Sequence, residues 1–354
     1  MKLLSISIEK LFGQFDYDIV LNQEEGITIL TGPNGYGKTS ILNIIRNLFK
    51  WGWKADDFPC KSAVASFSDG RVLKFPEDMM DMRDMEKTMP IYLINNQRLK
   101  KIVWEKNYAN SFIEESVEKT KDAISLFSQE LKEYIAGIQA KGNAIAKDIN
   151  TSYAARLFEY NNAMPKTEFE RRYGKLTEKY QLLQKYKIYQ NDLAKAEYEG
   201  ENRRALSIYL EDWEKKTAVY DELLAKIALF LSIMESKCLI NKTFTINAEQ
   251  GFCFTGIDGK LLQLTDLSSG EQHETILLYE LLFNALPDSL VLIDEPETSM
   301  HVAWQIEFIR DLKKITKIKQ LSFIVATHSP DIINDNTSID LYELIHGSAE
   351  SDDE

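Results

Sequence analysis

The spacing of apolar residues changes twice along the chain, and the first region alternates apolar and polar positions. MKLLSISIE and FDYDIVLN follow this alternation, which predicts antiparallel strands, and the apolar GITIL predicts a buried strand. The segment KTSILNIIRNLF then has the pattern of a helix. We expect a hairpin over 63–75, because Asp69-Gly70 is a favoured two-residue turn, and another buried strand over 90–97.

The second region, 104–236, is rich in Lys, Glu, Gln and Tyr, and its apolar residues recur three and four positions apart. This is the seam spacing of helices wound on each other, and it holds over Ile113–Ile138, Phe169–Leu183 and Leu206–Leu231. Pro165 and a Thr167…Glu170 pair mark the start of the middle helix. We therefore predict an antiparallel helical, coiled-coil-like arm that folds back on itself.

The third region, 237–345, returns to strands that alternate with helices, which predicts a parallel sheet. Its strands are KTFTINAEQGFCFTGIDGKLLQL with a turn at Asp258-Gly259, SLVLIDEPE and LSFIVATHS. The predicted fold class is α/β, with mixed and parallel sheets and flanking helices. The head domain would consist of 1–103 and 237–345, interrupted by the arm and followed by an acidic tail over 346–354.

Composition adds limits on function. The 354 residues are 44% apolar and 27% charged, with a formal net charge of −13, so the net charge does not indicate nucleic-acid binding. The three widely spaced cysteines form no C-x-x-C, which predicts neither a disulfide framework nor a zinc site. No apolar run approaches the about 20 residues that span a bilayer. We expect a cytoplasmic protein without a membrane partner.

The strongest chemical motif is GPNGYGKT, which matches G-x-x-x-x-G-K-[ST] between a predicted strand and a predicted helix. Glycines let the backbone wrap phosphates, Lys38 would reach the β- and γ-phosphates, and the Thr39 hydroxyl would bind Mg²⁺. A chance glycine turn would lack these flanks. The predicted ligands are ATP and Mg²⁺, and the predicted nucleotide-binding residues are Gly32, Pro33, Asn34, Gly35, Tyr36, Gly37, Lys38, Thr39 and Ser40.

Polar residues also end the other buried strands. Asp294 and Glu295 end one buried strand. Burying carboxylates costs free energy, so their presence there indicates a function. The alternative is that they only form a turn at the end of the strand. Beside a phosphate loop, Asp294 would hold Mg²⁺ and Glu295 would polarise the attacking water. His328 follows a further buried strand, and Gln97 ends another in the same way. We assign Glu295, His328 and Gln97 to the catalytic set, and Gln97 also to the metal-binding set with Thr39 and Asp294.

The stretch DLSSGEQHETILLYELLF begins with polar residues and continues as an apolar helix. Ser269 would be an N-cap with Gln272 as its partner, which is a capping box. A free helix N-terminus also suits an anion, so the same residues are candidates for phosphate binding.

These motifs, in this order, resemble the ABC-type ATPases. In that superfamily a serine-glycine signature opens a helix that caps the γ-phosphate of ATP held by another subunit. The resemblance places Ser268 at the signature serine and Ser269 and Gly270 at its glycines, followed by Glu271. It implies a head-to-head dimer formed around ATP, or a higher oligomer built from it.

The long insertion resembles the RecF- and SMC-like branch of the superfamily. The motifs LSSGEQHE, DEPETSMH and ATHSP are similar to those of compact anti-phage ATPases of the OLD, Septu (PtuA) and PARIS (AriA) systems. His301 departs from the pattern, because many ABC proteins carry an interface-crossing aspartate there. We also expect no Toprim nuclease after His328.

The resemblance implies an ATP-hydrolysing switch subunit of an anti-phage system that controls a separate, co-encoded effector such as a nuclease. A DNA-repair or chromosome-maintenance ATPase of the RecF kind is the alternative, and it would need a basic track near Arg98, Lys100 and Lys101. A transporter subunit is disfavoured because the insertion is too long.

Overall fold

The computed structural model divides into two compact units, Met1–Ala123 with Ser268–Glu354, and Ile124–Leu267. We call them the head unit and the arm unit. The structure describes residues 1–49, 58–76, 89–94, 100–107, 115–160, 163–190, 192–194, 196–237, 239–298, 300–333 and 340–344. Among the helices in these ranges, none is long and apolar enough to cross a membrane.

The elements follow the chain in this order. The strands are β1 (Leu3–Leu11), β2 (Phe15–Val20), β3 (Ile27–Thr31), β4 (Ser62–Phe67), β5 (Val72–Phe75), β6 (Ile91–Ile94), β7 (Lys100–Asn107), β8 (Glu115–Asp122), β9 (Lys242–Asn247), β10 (Gly251–Gly256), β11 (Leu290–Asp294), β12 (Ser322–Ala326) and β13 (Asp340–Glu343). The helices are α1 (Lys38–Leu48), α2 (Ala123–Glu159), α3 (Lys166–Lys185), α4 (Arg203–Ala218), α5 (Asp221–Ser236), α6 (Ser269–Tyr279), α7 (Val302–Lys319) and α8 (Pro330–Ile333). A π-helical turn, Glu280–Asn284, extends α6.

An antiparallel sheet in the order β2-β1-β4-β5 forms one layer of the head unit. In β2 the side chains of Phe15, Tyr17 and Ile19 are buried and their neighbours are exposed, as the alternation predicts. The hairpin predicted over 63–75 is present as β4 and β5. In β2 one face of this sheet is therefore buried and the other is exposed.

A parallel sheet in the order β13-β3-β12-β11-β6 forms the second layer. Its central strands are buried on both faces, so they read as continuous apolar runs. The apolar face of α1 shares one buried cluster with side chains of both sheets. Parallel strands end at one edge, and β3, β11 and β12 therefore deliver their following residues to the same edge. The predicted α/β fold class is confirmed.

The strands β7 and β8 pair as an antiparallel ribbon, from Lys100↔Asp122 to Asn107↔Glu115. The sequence analysis predicted the helical arm from residue 104 and a helical seam from Ile113, and this part of the prediction is wrong. The helix α2 begins at Ala123. Ile102, Val103 and Trp104 belong to the residue types that favour strands, and this preference outweighs the three-and-four spacing that follows.

The arm unit is a bundle in which α2 runs antiparallel to α4 and α5. Near the end of α2, Arg156 pairs with Asp212 of α4 at 2.5 Å. Nearer the start of α2, the Tyr134 hydroxyl lies 3.5 Å from Lys226 of α5. At 1.5 Å per residue, α2 is about 55 Å long. The predicted return of the chain is therefore built from helices of unequal length.

The middle helix α3 runs parallel to α4. The Met164 amide donates to Ser207 Oγ at 2.8 Å, and Arg172 Nη2 pairs with Glu214 at 2.5 Å. The chain between α3 and α4 first returns in an extended segment, where the Tyr198 hydroxyl donates to Met164 O. The arm unit therefore combines a parallel helix pair, α3 with α4, with the antiparallel contacts of α2, and it is more than a two-helix hairpin.

The hairpin β9–β10 lies in the arm unit, whereas the sequence analysis assigned residues 237–264 to the head. Phe230 of α5 lies against Phe244 and Phe252, with ring centroids 4.9 and 6.1 Å away. Ser128 Oγ, on α2, donates to Gln250 O at 2.9 Å and Phe252 O at 2.7 Å. The hairpin thus packs on the bundle, and the functional domain boundaries stay predictions.

Candidate functional site

The phosphate-loop motif occupies the turn between β3 and α1. Gly32 and Gly37 have φ angles of +143° and +85°, which side-chain-bearing residues rarely adopt. A Cβ atom on Gly32 would lie 2.9 Å from the carbonyl oxygen of Leu344, and one on Gly37 would overlap the Leu11 side chain. Close packing and left-handed backbone therefore both require glycine at these positions.

Two aromatic residues of β2 contact the phosphate loop at Tyr36. The Tyr17 hydroxyl donates to Tyr36 O at 2.9 Å, and the Phe15 ring stacks on the Tyr36 ring with centroids 5.2 Å apart. Burial raises the pKa of Tyr17 to about 12, with Tyr36 adding to the shift. The sequence analysis missed these supports, although the alternation in FDYDIV already placed Phe15 and Tyr17 on the buried face.

Lys38 is the first residue of α1, and its side chain lies over the loop. Nζ donates to Gly32 O at 2.7 Å and Pro33 O at 3.0 Å, and the residue is 6% exposed. Burial lowers the pKa of Lys38, while Glu295, Asp294 and Glu297 act in the opposite direction. The ammonium group is thus held among carbonyl and carboxylate oxygens at the start of the helix.

Thr39 and Asp294 meet across the edge of the parallel sheet. Thr39 Oγ1 lies 3.1 Å from Asp294 Oδ1 and 2.9 Å from Oδ2. Burial raises the pKa of Asp294, Glu295 and Glu297 raise it further, and the Thr39 hydrogen bond and Lys38 lower it. Hydroxyl and carboxylate oxygens are the ligands that Mg²⁺ prefers, so this pair fits the predicted metal.

Glu295 follows directly in a left-handed conformation, with φ of +46°. Its amide donates to Ala326 O at 2.9 Å, which ties the end of β11 to the end of β12. Its half-buried carboxylate makes no hydrogen bond to the residues that the structure describes. The carboxylate is therefore available to a ligand at this edge.

His328 lies two residues beyond β12, and its side chain is exposed. Its backbone amide donates to Glu297 Oε1 at 2.7 Å, and the Thr327 hydroxyl donates to Glu297 Oε2 at 2.8 Å. Glu297 was not predicted from the sequence. The available signal was its place two residues after Glu295, in the turn that follows β11 and lies beside the Thr-His-Ser segment after β12. Gln97, by contrast, lies outside the described residues, just beyond the end of β6.

The start of α6 is capped by Ser268 and Glu271. Ser268 Oγ accepts from the Glu271 amide at 3.3 Å, and Glu271 Oε2 accepts from the Ser268 amide at 2.9 Å. The predicted cap, Ser269 with Gln272, is wrong by one residue. Ser268 has the extended backbone that an N-cap needs, with ψ of 153°, while Ser269 is already helical.

The same helix start faces solvent. Ser268 and Ser269 are exposed, Gly270 is half-buried, and the Glu271 side chain is buried. The Ser268 hydroxyl donates to Glu271 Oε2 at 2.9 Å, and the side-chain hydrogen bonds of Ser268 within the described chain stay inside this cap.

His301 is the N-cap of α7, where Nδ1 accepts from the Ala303 amide at 3.2 Å. The His301 side chain thus caps its own helix.

The model of the AAA ATPase domain family, AAA_15, matches residues 74–333. The chain is similar to the Smc head domain with an extended coiled coil from Pyrococcus furiosus, bound to the C-terminal domain of ScpA, at 15% identity and a TM-score of 0.42 over 94% of this chain and 90% of that chain. It is similar to the SMC head domain from Thermotoga maritima at 12% identity and a TM-score of 0.40, over 97% and 94% of the two chains. A comparison with curated proteins found no significant match.

Proposed function

The chain belongs to the AAA ATPase domain family and is an ATPase, and from this premise we propose that its head is an ATP-dependent switch. In this proposal, ATP joins the head units of two copies of the chain, and hydrolysis releases them. The switch would serve an anti-phage defence system and control a separate effector, such as a nuclease.

The pairing of Thr39 with both oxygens of Asp294 is the observation that carries the proposal. It brings residues 255 positions apart in sequence to the first turn of α1, beside Lys38. The loop amides and Lys38 would hold the phosphates, and Thr39 and Asp294 would hold Mg²⁺. When bound, Mg²⁺ neutralises the charge that develops on the β- and γ-phosphate oxygens.

Glu295 is the residue that we assign to the attacking water. A general base needs a carboxylate that is free to accept a proton, and Glu295 has one at the same edge as Asp294. His328 reaches this edge from the adjacent strand, and we assign it to the terminal phosphate. Gln97 keeps its proposed role at the metal on the resemblance alone.

The exposed start of α6 supports the dimer part of the proposal. A helix N-terminus offers unpaired amides and a positive dipole end, which favour an anion. The Ser268 side chain bonds within its own cap, so in this chain it is not engaged with the phosphate loop. We therefore assign Ser268, Ser269, Gly270 and Glu271 to the nucleotide held by a second copy.

The dimer is tested with the Glu295→Gln chain, which is expected to keep ATP bound and to stop turnover. Native mass spectrometry is expected to show a monomer without nucleotide and a dimer with Mg-ATP. Ser268→Arg in this background is expected to keep ATP binding and lose the dimer. Thr151→Arg, an equally large change at an exposed residue of α2, is the control and should still dimerise. An ATP-bound dimer that survives Ser268→Arg contradicts the signature assignment.

The defence role is tested by co-expression with the products of the flanking genes. A stable complex whose composition or stability changes with ATP supports the gated effector and identifies it. A bare ATP-dependent dimer with no partner favours the RecF-like alternative. In that case duplex DNA would stimulate hydrolysis, and the stimulation would fall steeply with salt.

A further inference from the structure

Glu297 joins the two loops that carry Glu295 and His328. The strands before these loops are neighbours in register, with Asp294 opposite Ala326. Glu297 Oε1 accepts from the His328 amide at 2.7 Å, and Oε2 accepts from the Thr327 hydroxyl at 2.8 Å. Both oxygens are engaged, which fixes the orientation of the carboxylate as well as its position.

The hydrogen bonds continue beyond Glu297 and return to the same loop. Thr327 Oγ1 accepts from the Ser329 amide at 3.0 Å, and the Ser329 hydroxyl donates to Gln305 Oε1 at 2.5 Å. Gln305 Nε2 donates to Met300 O at 3.0 Å, and the Met300 amide donates to Glu297 O at 2.9 Å. Thr327 is 0% exposed and Ser329 is 7% exposed. The backbone on both sides of His328 is thus held by a closed network in which Thr327 and Ser329 are buried and Glu297, Met300 and Gln305 are half-buried.

The same network holds the unfavourable backbone of Glu295. A left-handed conformation is disfavoured for a residue with a side chain, so its surroundings must impose it. The Glu295 amide is bonded to Ala326 O at 2.9 Å, and its carbonyl accepts from the Thr298 amide at 3.2 Å. Glu297 lies between these anchors and connects them to His328.

Glu297 is itself a poor candidate for the water-activating base. Its two carboxylate oxygens already accept hydrogen bonds from the protein, whereas the Glu295 carboxylate accepts none from the described residues. The two carboxylates therefore have different surroundings although only one residue separates them.

We infer that Glu297 is a positioning residue that sets His328 against the Glu295 turn through its paired bonds to Thr327 and the His328 amide. The inference rests on the proposed function, because His328 and Glu295 are assigned to hydrolysis there. In this inference Glu297 acts through the position of His328 relative to Glu295, and not through contact with the nucleotide.

The test compares Glu297→Ala and Glu297→Gln in the full chain, by steady-state hydrolysis of Mg-ATP and by titration with a fluorescent ATP analogue. Glu297→Ala leaves two donors without an acceptor, so kcat should fall about tenfold or more. Nucleotide affinity should change by less than about twofold, since the side-chain hydrogen bonds of Glu297 within the described chain go to Thr327 and His328 and not to the loop or Lys38, and its charge is the last of the influences on the Lys38 pKa. Gln can accept from the His328 amide and donate to Thr327 Oγ1, so Glu297→Gln should recover most of the lost kcat.

A double-variant cycle separates positioning from general damage. If Glu297 acts through His328, adding Glu297→Ala to His328→Ala should cause no further loss of kcat. The inference is overturned if the two losses multiply, if Glu297→Gln is as inactive as Glu297→Ala, or if Glu297→Ala keeps the wild-type kcat. Should Glu297→Ala fail to fold, Thr327→Val removes only the bridging hydroxyl, and unchanged turnover in that variant also overturns the inference.

Lys38→Ala distinguishes this failure from failure of the proposed function. If Lys38→Ala abolishes ATP binding and Glu295→Gln abolishes turnover while Glu297→Ala has no effect, the positioning role alone is wrong. If Lys38→Ala binds ATP as well as the wild type, the proposed site is wrong, and the role of Glu297 is overturned with it.

Discussion

At the scale of single residues, three carboxylates near the end of β11 have three different surroundings. The Asp294 carboxylate faces the Thr39 hydroxyl, the Glu295 carboxylate makes no hydrogen bond to the described residues, and the Glu297 carboxylate accepts from two donors. In the proposed function, these differences correspond to metal binding by Asp294, proton transfer by Glu295 and positioning by Glu297. The chemistry of a carboxylate in this site is therefore set by its neighbours and not by its residue type.

Asp294→Asn should stabilise the chain in the absence of nucleotide while it weakens Mg-ATP binding. Burial raises the pKa of Asp294 above its ordinary value of 3.8, so the folded chain holds this proton more tightly than the unfolded chain. That contribution to stability is complete below the ordinary pKa and is lost as pH rises through the raised one. Above the raised pKa the charged group is unfavourable, and asparagine removes this penalty.

The measurement is a set of thermal melts of both proteins from acidic to neutral pH without nucleotide. The stability advantage of Asp294→Asn should grow as pH rises through the raised pKa of Asp294 and should be small at the acidic end. A pH-independent difference, or a less stable variant at neutral pH, contradicts the prediction.

Tyr17→Phe should raise the KM for ATP several-fold while kcat stays close to the wild-type value. The variant removes only the hydroxyl that donates to Tyr36 O, so the phosphate loop loses a support outside the catalytic edge. The expected cost in unfolding free energy is about 1 kcal/mol, the usual value of one hydrogen bond. Tyr92→Phe, which also removes a half-buried hydroxyl of the head unit, is the control and should leave KM unchanged.

Much of the site was predictable at this scale, because G-x-x-x-x-G-K-[ST] and the strand-ending Asp294 are local patterns whose geometry follows from the sheet. Glu297, Phe15 and Tyr17 were not predicted. Their roles depend on partners that are distant in sequence, such as His328 for Glu297, and no spacing rule connects them. Gln97 stays a prediction, since it lies outside the described residues.

At the scale of secondary structure, the start of α6 shows how one residue of register changes an interpretation. Both Ser268…Glu271 and Ser269…Gln272 have the capping-box spacing, so the sequence alone does not choose between them. The structure selects Ser268, whose backbone is extended. The residue that resembles the signature serine is therefore also the structural cap of its helix.

Ser268→Ala should cost about 1 kcal/mol of unfolding free energy, and Ser269→Ala should cost close to nothing. The first variant removes the acceptor of the Glu271 amide, while the second removes an exposed hydroxyl at the first helical position. Urea unfolding without nucleotide measures both. Equal losses, or a larger loss for Ser269→Ala, would contradict the assignment of the cap.

Arg156→Ala should destabilise the arm unit by about 3 kcal/mol. It leaves the Asp212 side chain, which is 5% exposed, as a buried charge without its partner. Lys166→Ala is the matched control, because its ion pair with Glu170 joins side chains that are 62% and 58% exposed. Such a surface pair contributes about 0.5 kcal/mol or less. Chemical denaturation followed by far-UV circular dichroism measures both losses, and equal losses in the two variants contradict the prediction.

The errors at this scale have a common cause. Apolar residues three and four apart predicted helix correctly where the helices bury one face, as in α3 and α5. The same spacing failed over β8, where pairing with β7 determines the conformation. A local periodicity predicts the structure of one element, but it carries no information about pairing with another strand, which can override it.

At the scale of the whole molecule, the arm unit should fold without the head. Ile124–Leu267 is a compact unit with its own buried clusters, one around Phe169, Leu176 and Leu210 and another around Phe230 and Phe252. Expressed alone, this fragment should unfold in one cooperative transition and keep a strongly helical spectrum. A fragment with a broad, non-cooperative transition would contradict this prediction, and the Arg156→Ala fragment should melt earlier as an internal check.

The strand order β13-β3-β12-β11-β6 also has a consequence for co-translational folding. β3 leaves the ribosome early, but both of its neighbours, β12 and β13, are translated only after the whole arm. At about 5 to 20 residues per second, the strand before the phosphate loop waits about 15 to 60 s for its first partner. During that time the apolar strand β3 lacks its partner strands and is prone to aggregate, while the arm is already able to fold. We therefore expect chaperones to bind the nascent head in preference to the arm during synthesis.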